Sequence, residues 1–425
     1  MSLDGSSIRI TTLPNGMRVA TDSMAHVETV TVGVWVHAGT RHEPAEINGV
    51  SHLLEHMAFK GTERRTAQGL AEEVEAVGGY MNAYTSREQT VYYLKLMAED
   101  LELGVDVLAD ILQHSVFDPD ELERERSVVV QEILSADDMP EDVVFDHFQI
   151  AAYPDQGLGR PILGPVEIVR GMPRQAIAGY MRRQYTASRM VLAAAGKVDH
   201  DRLVDLAARF FDALPATEPR DIDPAAYVGG DLRRRKDHLG QVHLTLGFPG
   251  IGYAHEDYHA SQLLATLLGG GMSSRLFQEV REKRGLCYNV YSFASPFEDH
   301  GLFGIYVAAA EDEIAEAMPV IIDETLGVAG RVGEEELRRS FAQLKAGLLM
   351  GLESTTARAE RLAQSLIIHG RVQSVAETVA ELQAVTPDQV SRLAGRLLGA
   401  GAPTLAALGP IARVQSYDDL RRRFG

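Results

Sequence analysis

The chain has 425 residues, is 45% hydrophobic and 24% charged, and carries a formal net charge of −19. This length exceeds one ordinary domain of about 100–200 residues, so we expect at least two domains with large buried cores. The acidic balance disfavours nucleic acid as a partner, because phosphate contacts require a basic surface. It fits either simple solubility or attraction of basic ligands.

The composition also bears on the cellular compartment. A single cysteine, Cys287, excludes an intramolecular disulfide and a cysteine-based zinc cluster. No apolar run approaches the roughly 18–20 residues that span a bilayer, so we expect no membrane association. The N-terminal stretch lacks a basic region followed by an apolar one, so no signal peptide is expected. A cytoplasmic protein is predicted, although scarce cysteine alone does not exclude a periplasm.

The first half of the chain predicts strands followed by helices. Pro14, Asn15 and Gly16 mark a hairpin turn. The β-rich and apolar-periodic patterns that follow predict strands at 30–38 and 190–198, two strands within "YMNAYTSREQTVYYLKL", and helices at 49–60, 66–77, 99–114, 118–136 and 199–214.

Residues 215–230 contain several prolines, glycines and acids with weak periodicity, which is typical of a linker. After this segment the same order of elements recurs. We expect strands at 241–248, 287–295 and 302–309, helices at 258–268 and 274–283, and then long helices.

The two halves also resemble each other in sequence. "GGYMNAYTS" resembles "GLCYNVYSF", which matches Asn82 with Asn289 and Tyr84 with Tyr291. "MAEDLELGVDVLADIL" resembles "AAEDEIAEAMPVIIDETL" further on. The alternative is coincidence between generic amphipathic segments. We interpret the pattern as an internal duplication that gives an α+β fold of two homologous domains, 1–220 and 221–425, each a mostly antiparallel sheet packed with helices.

The stretch "GVSHLLEHMAFKGTE" carries the most specific chemical signal in the chain. On a helix, residues i and i+4 share a face, so His52 and His56 can reach one metal ion. Glu55 projects beside them, where a carboxylate can contact an attacking water without ligating the metal. His-x-x-Glu-His is the inverted form of the zinc-peptidase helix. The alternative is an ordinary amphipathic helix that happens to contain two histidines.

A catalytic zinc generally needs a third protein ligand. The helix "DPDELERERSVVVQEILSA" offers Glu132 on its apolar side, with Glu125 about two turns earlier on the same face. One glutamate could ligate the metal while the other steadies a ligand. The composition of this helix does not choose between them.

The combined motifs resemble the pitrilysin family of inverzincin metallopeptidases, in particular its mitochondrial processing peptidase branch. The resemblance rests first on His-x-x-Glu-His and on the later glutamate Glu132, and it covers nearly the whole chain. Its other motifs are "AGTRHE", "GGYMNAYTSREQTVYY", "ERERSVVVQEI", "LGRPILG", "GGGMSSRLFQEVREKRGLCYNVYS" and "LESTTARAERLAQSLIIHGR".

The resemblance implies a role for each candidate residue. It implies one zinc ion per chain, and Glu55 as the general base in an endopeptidase reaction. Glu125 occupies the position of the family's glutamate that supports the metal site, and it is counted with the candidate catalytic residues. The metal ligands are His52, His56 and Glu132; the other candidate catalytic residues are Arg281 and Tyr288; the substrate-binding residues are Asn82 and Ala83 on an edge strand, together with Arg281 and Tyr288.

The resemblance also implies an assembly. Family members close two such two-domain halves like a clamshell, and this chain has the length of one half. It carries both the zinc motif and Arg281 with Tyr288. We therefore expect a homodimer in which Arg281 and Tyr288 of one subunit complete the zinc site of the other. The expected substrates are unfolded or extended peptides, with basic, presequence-like sequences favoured by the acidic charge.

Two other functional classes also fit the sequence. Some relatives are non-catalytic subunits, and this chain could also bind peptides yet need a partner subunit for activity. The glycine-rich stretch at 267–277 lacks the residues of a phosphate-binding loop. The basic cluster at 233–236 is more simply a solvated strand edge than a nucleic-acid surface.

Overall fold

The computed structural model describes residues 7–216 and 223–424. The predicted boundary between residues 220 and 221, and the middle of the predicted linker, lie outside the described residues. The described chain forms two compact units, each built from separate segments of sequence. The first contains Met1–Leu134, Pro161–Asp223 and Leu349–Ala376, and the second contains Ser135–Arg160, Pro224–Leu348 and Glu377–Gly425, counting only the described residues in each.

The helices and strands follow the predicted order closely. The strands are β1 Ile8–Thr12, β2 Arg18–Ser23, β3 Thr29–Val36, β4 Tyr80–Thr85, β5 Thr90–Met97, β6 Met190–Gly196, β7 Gly230–Arg235, β8 Val242–Gly250, β9 Asn289–Pro296, β10 Gly301–Ala309 and β11 Thr404–Gly409. The helices are α1 Val50–Ala58, α2 Ala67–Ala76, α3 Leu101–Gln113, α4 Pro119–Asp137, α5 Pro140–Ala152, α6 Val166–Gly171, α7 Arg174–Gln184, α8 His200–Phe210, α9 Tyr258–Gly269, α10 Glu311–Gly330, α11 Glu334–Gly351, α12 Thr355–His369, α13 Val375–Ala384, α14 Pro387–Leu398 and α15 Tyr417–Phe424.

Two predicted helices differ from the observed ones. The helix predicted at 199–214 ends as α8 at Phe210, because the chain turns before Leu214. The helix predicted at 274–283 contains a π-helical turn over Phe277–Glu282. Among the described residues, no helix combines the length and the apolarity that crossing a bilayer requires.

The first unit is a six-stranded sheet with helices on both faces. Its strand order is β1-β2-β6-β3-β5-β4, and β2 with β6 forms the parallel pair in an otherwise antiparallel sheet. Strand β3 is rich in β-branched residues and almost fully buried, as a central strand requires. One sheet face packs against α1, α3, α7 and α8. The opposite face, including Trp35 and Val91, packs against α12.

The second unit repeats this arrangement. Its strand order is β7-β11-β8-β10-β9, with β7 parallel to β11 and the other pairs antiparallel. One face packs against α9, α10 and α14, and the other packs against α5 through Val144 and Phe148. The order of the shared strands matches that of the first unit, with β9 in the place of β4. The predicted α+β fold of two homologous domains is therefore confirmed.

Each unit also takes one helix from the other half of the sequence. Helix α5 precedes the predicted boundary but belongs to the second unit, whereas α12 lies far beyond it and belongs to the first. Helices α5 and α12 each pack on the sheet face opposite the one that the other helices of the same unit cover. The division of the chain into predicted domains at 1–220 and 221–425 stays a prediction.

Candidate metal centre

Helix α1 is held in place from its first turn. Gly49 begins the helix at φ 94°, a left-handed conformation that an L side chain rarely adopts. The buried Glu43 carboxylate accepts hydrogen bonds from the backbone N–H of Gly49 and Ser51, each at 2.8 Å. It thereby satisfies amides that a helix start leaves without partners. "AGTRHE" therefore positions the helix that carries the histidines.

The structure brings His52, His56 and Glu132 together. Their candidate ligand atoms all lie within 4.8 Å of one another. Glu132 Oε2 lies 3.6 Å from His52 Nε2 and 3.5 Å from His56 Nε2. Zinc bonds of about 2.0–2.1 Å at tetrahedral angles separate ligand atoms by roughly 3.3–3.4 Å. The donor set and its spacing therefore fit a zinc ion with a fourth position free.

The charges around the centre favour a cation. Burial and the neighbouring His56 lower the pKa of His52 to about 4, which keeps this ring in its neutral, ligating form. The hydrogen bond with His56 lowers the pKa of Glu132, so that carboxylate is ionised. Glu132 keeps 44% of its side chain exposed, so the centre opens on its side.

His56 is oriented by Glu125. His56 Nδ1 lies 3.0 Å from Glu125 Oε2 and donates to it, which leaves Nε2 facing Glu132. Lys60 forms an ion pair with the other carboxylate oxygen at 2.6 Å. Burial alone would raise the pKa of Glu125, but hydrogen bonds from His56 and Lys60 outweigh it and lower the pKa. Of the two glutamates left open by the sequence, Glu132 joins the cluster and Glu125 supports it.

In the absence of metal, His56 binds a proton strongly. Burial opposes the charged ring, yet hydrogen bonds with Glu125 and Glu132 raise the pKa of His56 to about 9. A metal must displace this proton, so its binding competes with protonation.

Glu55 lies beside the cluster and is held by strand β4. Its Oε2 accepts a hydrogen bond from the Thr85 hydroxyl at 2.6 Å. Burial raises the pKa of Glu55, and the bond from Thr85 opposes that rise. A carboxylate in this position can accept a proton without joining the metal ligands.

Asn82 and Ala83 lie on β4, the last strand of its sheet. The backbone N–H of Ala83 donates to the Asn82 side-chain oxygen at 2.8 Å. An extended peptide could pair with this outer edge, because strand addition uses the unpaired groups of an edge strand.

Arg281 and Tyr288 lie in the second unit and contact each other. The Arg281 guanidinium stands 4.9 Å from the centroid of the Tyr288 ring and 4.6 Å from that of Phe277. Tyr288 is 77% exposed, so its hydroxyl is available to a ligand. Their predicted roles stay predictions.

Three contributors to the centre were not identified from the sequence. Thr85 lies within "NAYTS" and contacts Glu55 from a distant part of the chain, whereas Glu43 lies within "AGTRHE" and contacts the nearby start of α1. Lys60 follows α1 directly and looks like an ordinary surface lysine. Thr85 was the easiest to find, since it alternates with Ala83 on one strand and so shares its face.

Family models match most of the chain, and curated relatives match nearly all of it. Residues 18–166 match the model described as insulinase (peptidase family M16), and residues 171–344 match the peptidase M16 inactive domain. A probable mitochondrial-processing peptidase subunit beta of Arabidopsis thaliana is 38% identical over 99% of this chain and 82% of its own. An uncharacterized zinc protease of Streptomyces coelicolor is 38% identical over 96% of this chain and 91% of its own.

Solved structures show the same fold at low sequence identity. A protease from Helicobacter pylori has a TM-score of 0.87 at 22% identity, covering 95% of this chain and 99% of its own. A peptidase M16 inactive domain from Pseudomonas fluorescens has a TM-score of 0.88 at 19% identity, covering 95% and 98%. The relatives' sequences establish the family that the motifs indicated. The chain belongs to the M16, or insulinase, family of pitrilysin-like zinc proteases, and its cofactor is zinc.

Proposed function

We propose that this protein is a zinc-dependent endopeptidase that cleaves extended peptides, with basic, presequence-like sequences preferred. The observation that carries the proposal is the cluster of His52, His56 and Glu132 with Glu55 beside it. When bound, zinc polarises the scissile carbonyl and lowers the pKa of a water molecule. The preference for basic peptides rests on the net charge of −19.

The chain's own residues perform the remaining chemistry. The outer edge of β4 pairs with the substrate backbone and holds it extended near Glu55. Glu55 accepts a proton from the attacking water at its carboxylate and passes that proton to the leaving amine. Tyr288 and Arg281 donate to the carbonyl oxygen as negative charge develops on it.

We further propose that the active unit is a homodimer that encloses the substrate in a chamber. Each subunit would supply Arg281 and Tyr288 to the zinc centre of its partner. Mixing Glu55→Gln chains with Arg281→Ala chains tests this arrangement. If the sites are completed in trans, mixed dimers contain one competent site and recover activity. If mixed dimers form and stay inactive, the arrangement is wrong.

The second candidate is a subunit that needs a different partner for activity. The names of two relatives, both called subunit beta of a mitochondrial-processing peptidase, favour it. It requires that the purified chain alone, even when loaded with zinc, fail to cleave. The predicted cytoplasmic location rests on composition and stays a prediction.

One experiment on the purified chain separates these candidates. The chain is loaded with zinc, its mass is measured by size-exclusion chromatography with light scattering, and a basic fluorogenic peptide is added. We expect a dimer that contains one zinc per chain and cleaves until a chelator is added. A zinc-loaded dimer that never cleaves this peptide, an acidic peptide or a neutral one contradicts the endopeptidase proposal for the chain alone.

A further inference from the structure

Strand β4 is connected to the proposed general base as well as to the substrate edge. Thr85 is the last residue of β4, and its hydroxyl lies 2.6 Å from Glu55 Oε2. Within the part of the chain that the structure describes, Thr85 is the side chain that hydrogen-bonds to this carboxylate. A short hydrogen bond of this kind fixes the rotation of a carboxylate as well as its position.

The bond makes the two carboxylate oxygens unequal. Oε2 of Glu55 accepts from Thr85, whereas Oε1 accepts no hydrogen bond among the described residues, so Oε1 is the more available acceptor for the proton of an attacking water. A carboxylate free to rotate would present either oxygen in many directions. The rate of an enzyme reaction is sensitive to the orientation of a catalytic group, because a misplacement of about 1 Å can cost about 100-fold in rate.

A separate segment fixes the two elements that bring Thr85 and Glu55 together. Residues 39–43 hold α1 through Glu43 at one end. At the other end they hold the turn that follows β4: Arg41 N–H donates to Arg87 O at 2.8 Å, and the buried Arg41 side chain pairs with Glu88 at 2.7 Å. The segment therefore links the start of α1 directly to the end of β4.

The fit between this segment and the turn is close. A Cβ added to Gly39 would lie 2.3 Å from Ser86 O and 2.7 Å from Arg87 O, closer than real side chains approach backbone. Such tight contact leaves little freedom between the turn and the base of α1. The distance from Thr85 to Glu55 is thus set by packing on both sides of the bond.

We propose that Thr85 is a positioning residue for the peptidase reaction, which holds the Glu55 carboxylate in a single orientation and couples it to the strand that receives the substrate. The inference rests on the proposed function for its consequence in catalysis. The geometry of the bond itself does not depend on that function.

The kinetic test compares three variants. Thr85→Val removes the hydroxyl at nearly constant volume, and Thr85→Ser keeps it. Thr90→Val is the matched control, because Thr90 faces Thr85 across the hairpin but donates to Ala38 O. We expect Thr85→Val to lower kcat about 10- to 100-fold at unchanged KM and zinc content, since it disturbs orientation alone. Thr85→Ser should restore most of kcat, and Thr90→Val should change melting temperature more than kcat.

A structural measurement keeps the inference testable whether or not the chain cleaves peptides. Crystal structures of the zinc-loaded wild type and Thr85→Val would be compared at Glu55. We expect one carboxylate orientation in the wild type and several, or a different one, in the variant. An unchanged single orientation in Thr85→Val, or kcat equal to that of wild type in an active enzyme, overturns the inference. A wild type without zinc-dependent cleavage contradicts only the proposed function.

Discussion

His52 and His56 differ in what their second ring nitrogen contacts. His56 Nδ1 donates to Glu125, which Lys60 holds in turn. His52 Nδ1 is buried and has no hydrogen-bond partner among the residues described. Hydrogen bonds of this kind orient metal-binding histidines and raise their basicity. The surrounding residues therefore orient the His56 ring more strongly than the His52 ring.

This asymmetry leads to a prediction for Glu125. Glu125→Gln should weaken zinc binding about 10- to 100-fold, because the amide orients His56 less strongly than a carboxylate. Titration against a competing chelator measures the affinity. Glu123→Gln is the control, since Glu123 lies on the same helix, is 73% exposed and pairs only with Arg126 among the ion pairs described. Equal zinc affinities for the two variants would contradict the role of Glu125.

The sequence predicted part of this centre and left part undecided. His52, Glu55 and His56 were predictable because one helical turn brings them together. Glu125 and Glu132 share a face of one helix, so local spacing could not assign them separate roles. The distinction depends on where α4 meets α1: Glu132 reaches both Nε2 atoms while Glu125 reaches Nδ1 of His56. Thr85 depends in the same way on tertiary contact.

Among the secondary-structure elements, the loop after α1 is tied to α3 by a partly buried charge network. Arg65 contacts Asp106 at 2.5 Å and Asp110 at 2.8 Å, and Arg64 contacts Asp106 at 2.7 Å. Asp110 is completely buried, and the Thr62 hydroxyl also donates to it. Buried charges are tolerated when they are paired and hydrogen-bonded in this way. The network fixes the chain where it leaves the metal-binding helix.

The network predicts a pH-dependent contribution to stability. Burial alone would raise the pKa of Asp106, but hydrogen bonds from Arg64 and Arg65 outweigh it, and the pKa falls below its ordinary 3.8. A depressed carboxyl pKa stabilises the fold above the unfolded value, and this stability is lost as the pH falls through the folded value. Asp106→Asn should therefore cost about 1–3 kcal/mol at pH 7, and the cost should shrink below about pH 4.

Urea unfolding of both proteins across this pH range measures the difference. Glu73→Gln serves as the control, because Glu73 pairs with the same Arg65 from a position with 44% of its side chain exposed. A surface pair of this type contributes about 0–1 kcal/mol. A cost of Asp106→Asn that stays unchanged as the pH falls from 7 to well below 4 would show that its cause is packing, not charge.

At the scale of the whole molecule, the exchanged helices decide how the chain folds. Amphipathic patterns predict helices, but such patterns do not say which sheet a helix such as α5 or α12 covers. Each helix buries an apolar face of the unit that lies on the other side of the predicted linker in sequence. The internal duplication was predictable from the similar stretches of sequence in the two halves. The exchange of α5 and α12 between the units was not.

The exchange predicts that the two halves cannot fold separately. A fragment of residues 1–220 lacks α12, which leaves the sheet face around Trp35, Val91 and Val191 uncovered. A fragment of residues 221–425 lacks α5, which uncovers Leu302, Tyr306 and Leu408. A contiguous apolar sheet face that is exposed to solvent favours aggregation. We expect each fragment alone to be insoluble or to bind a hydrophobic dye.

Co-expression of the two fragments is the control. It should yield a soluble complex, because each fragment then supplies the helix that the other lacks. A fragment of residues 1–220 that unfolds cooperatively as a monomer would contradict this account of the fold.

We propose that His52, His56 and Glu132 hold zinc while Glu55 performs the proton transfer. The most direct measurement compares zinc content and peptide cleavage in wild type and Glu55→Gln. We expect one zinc per chain in both proteins and cleavage by the wild type alone, since the amide of Glu55→Gln cannot accept the proton. Cleavage by Glu55→Gln at the rate of the wild type would show that Glu55 is not the group that accepts the proton.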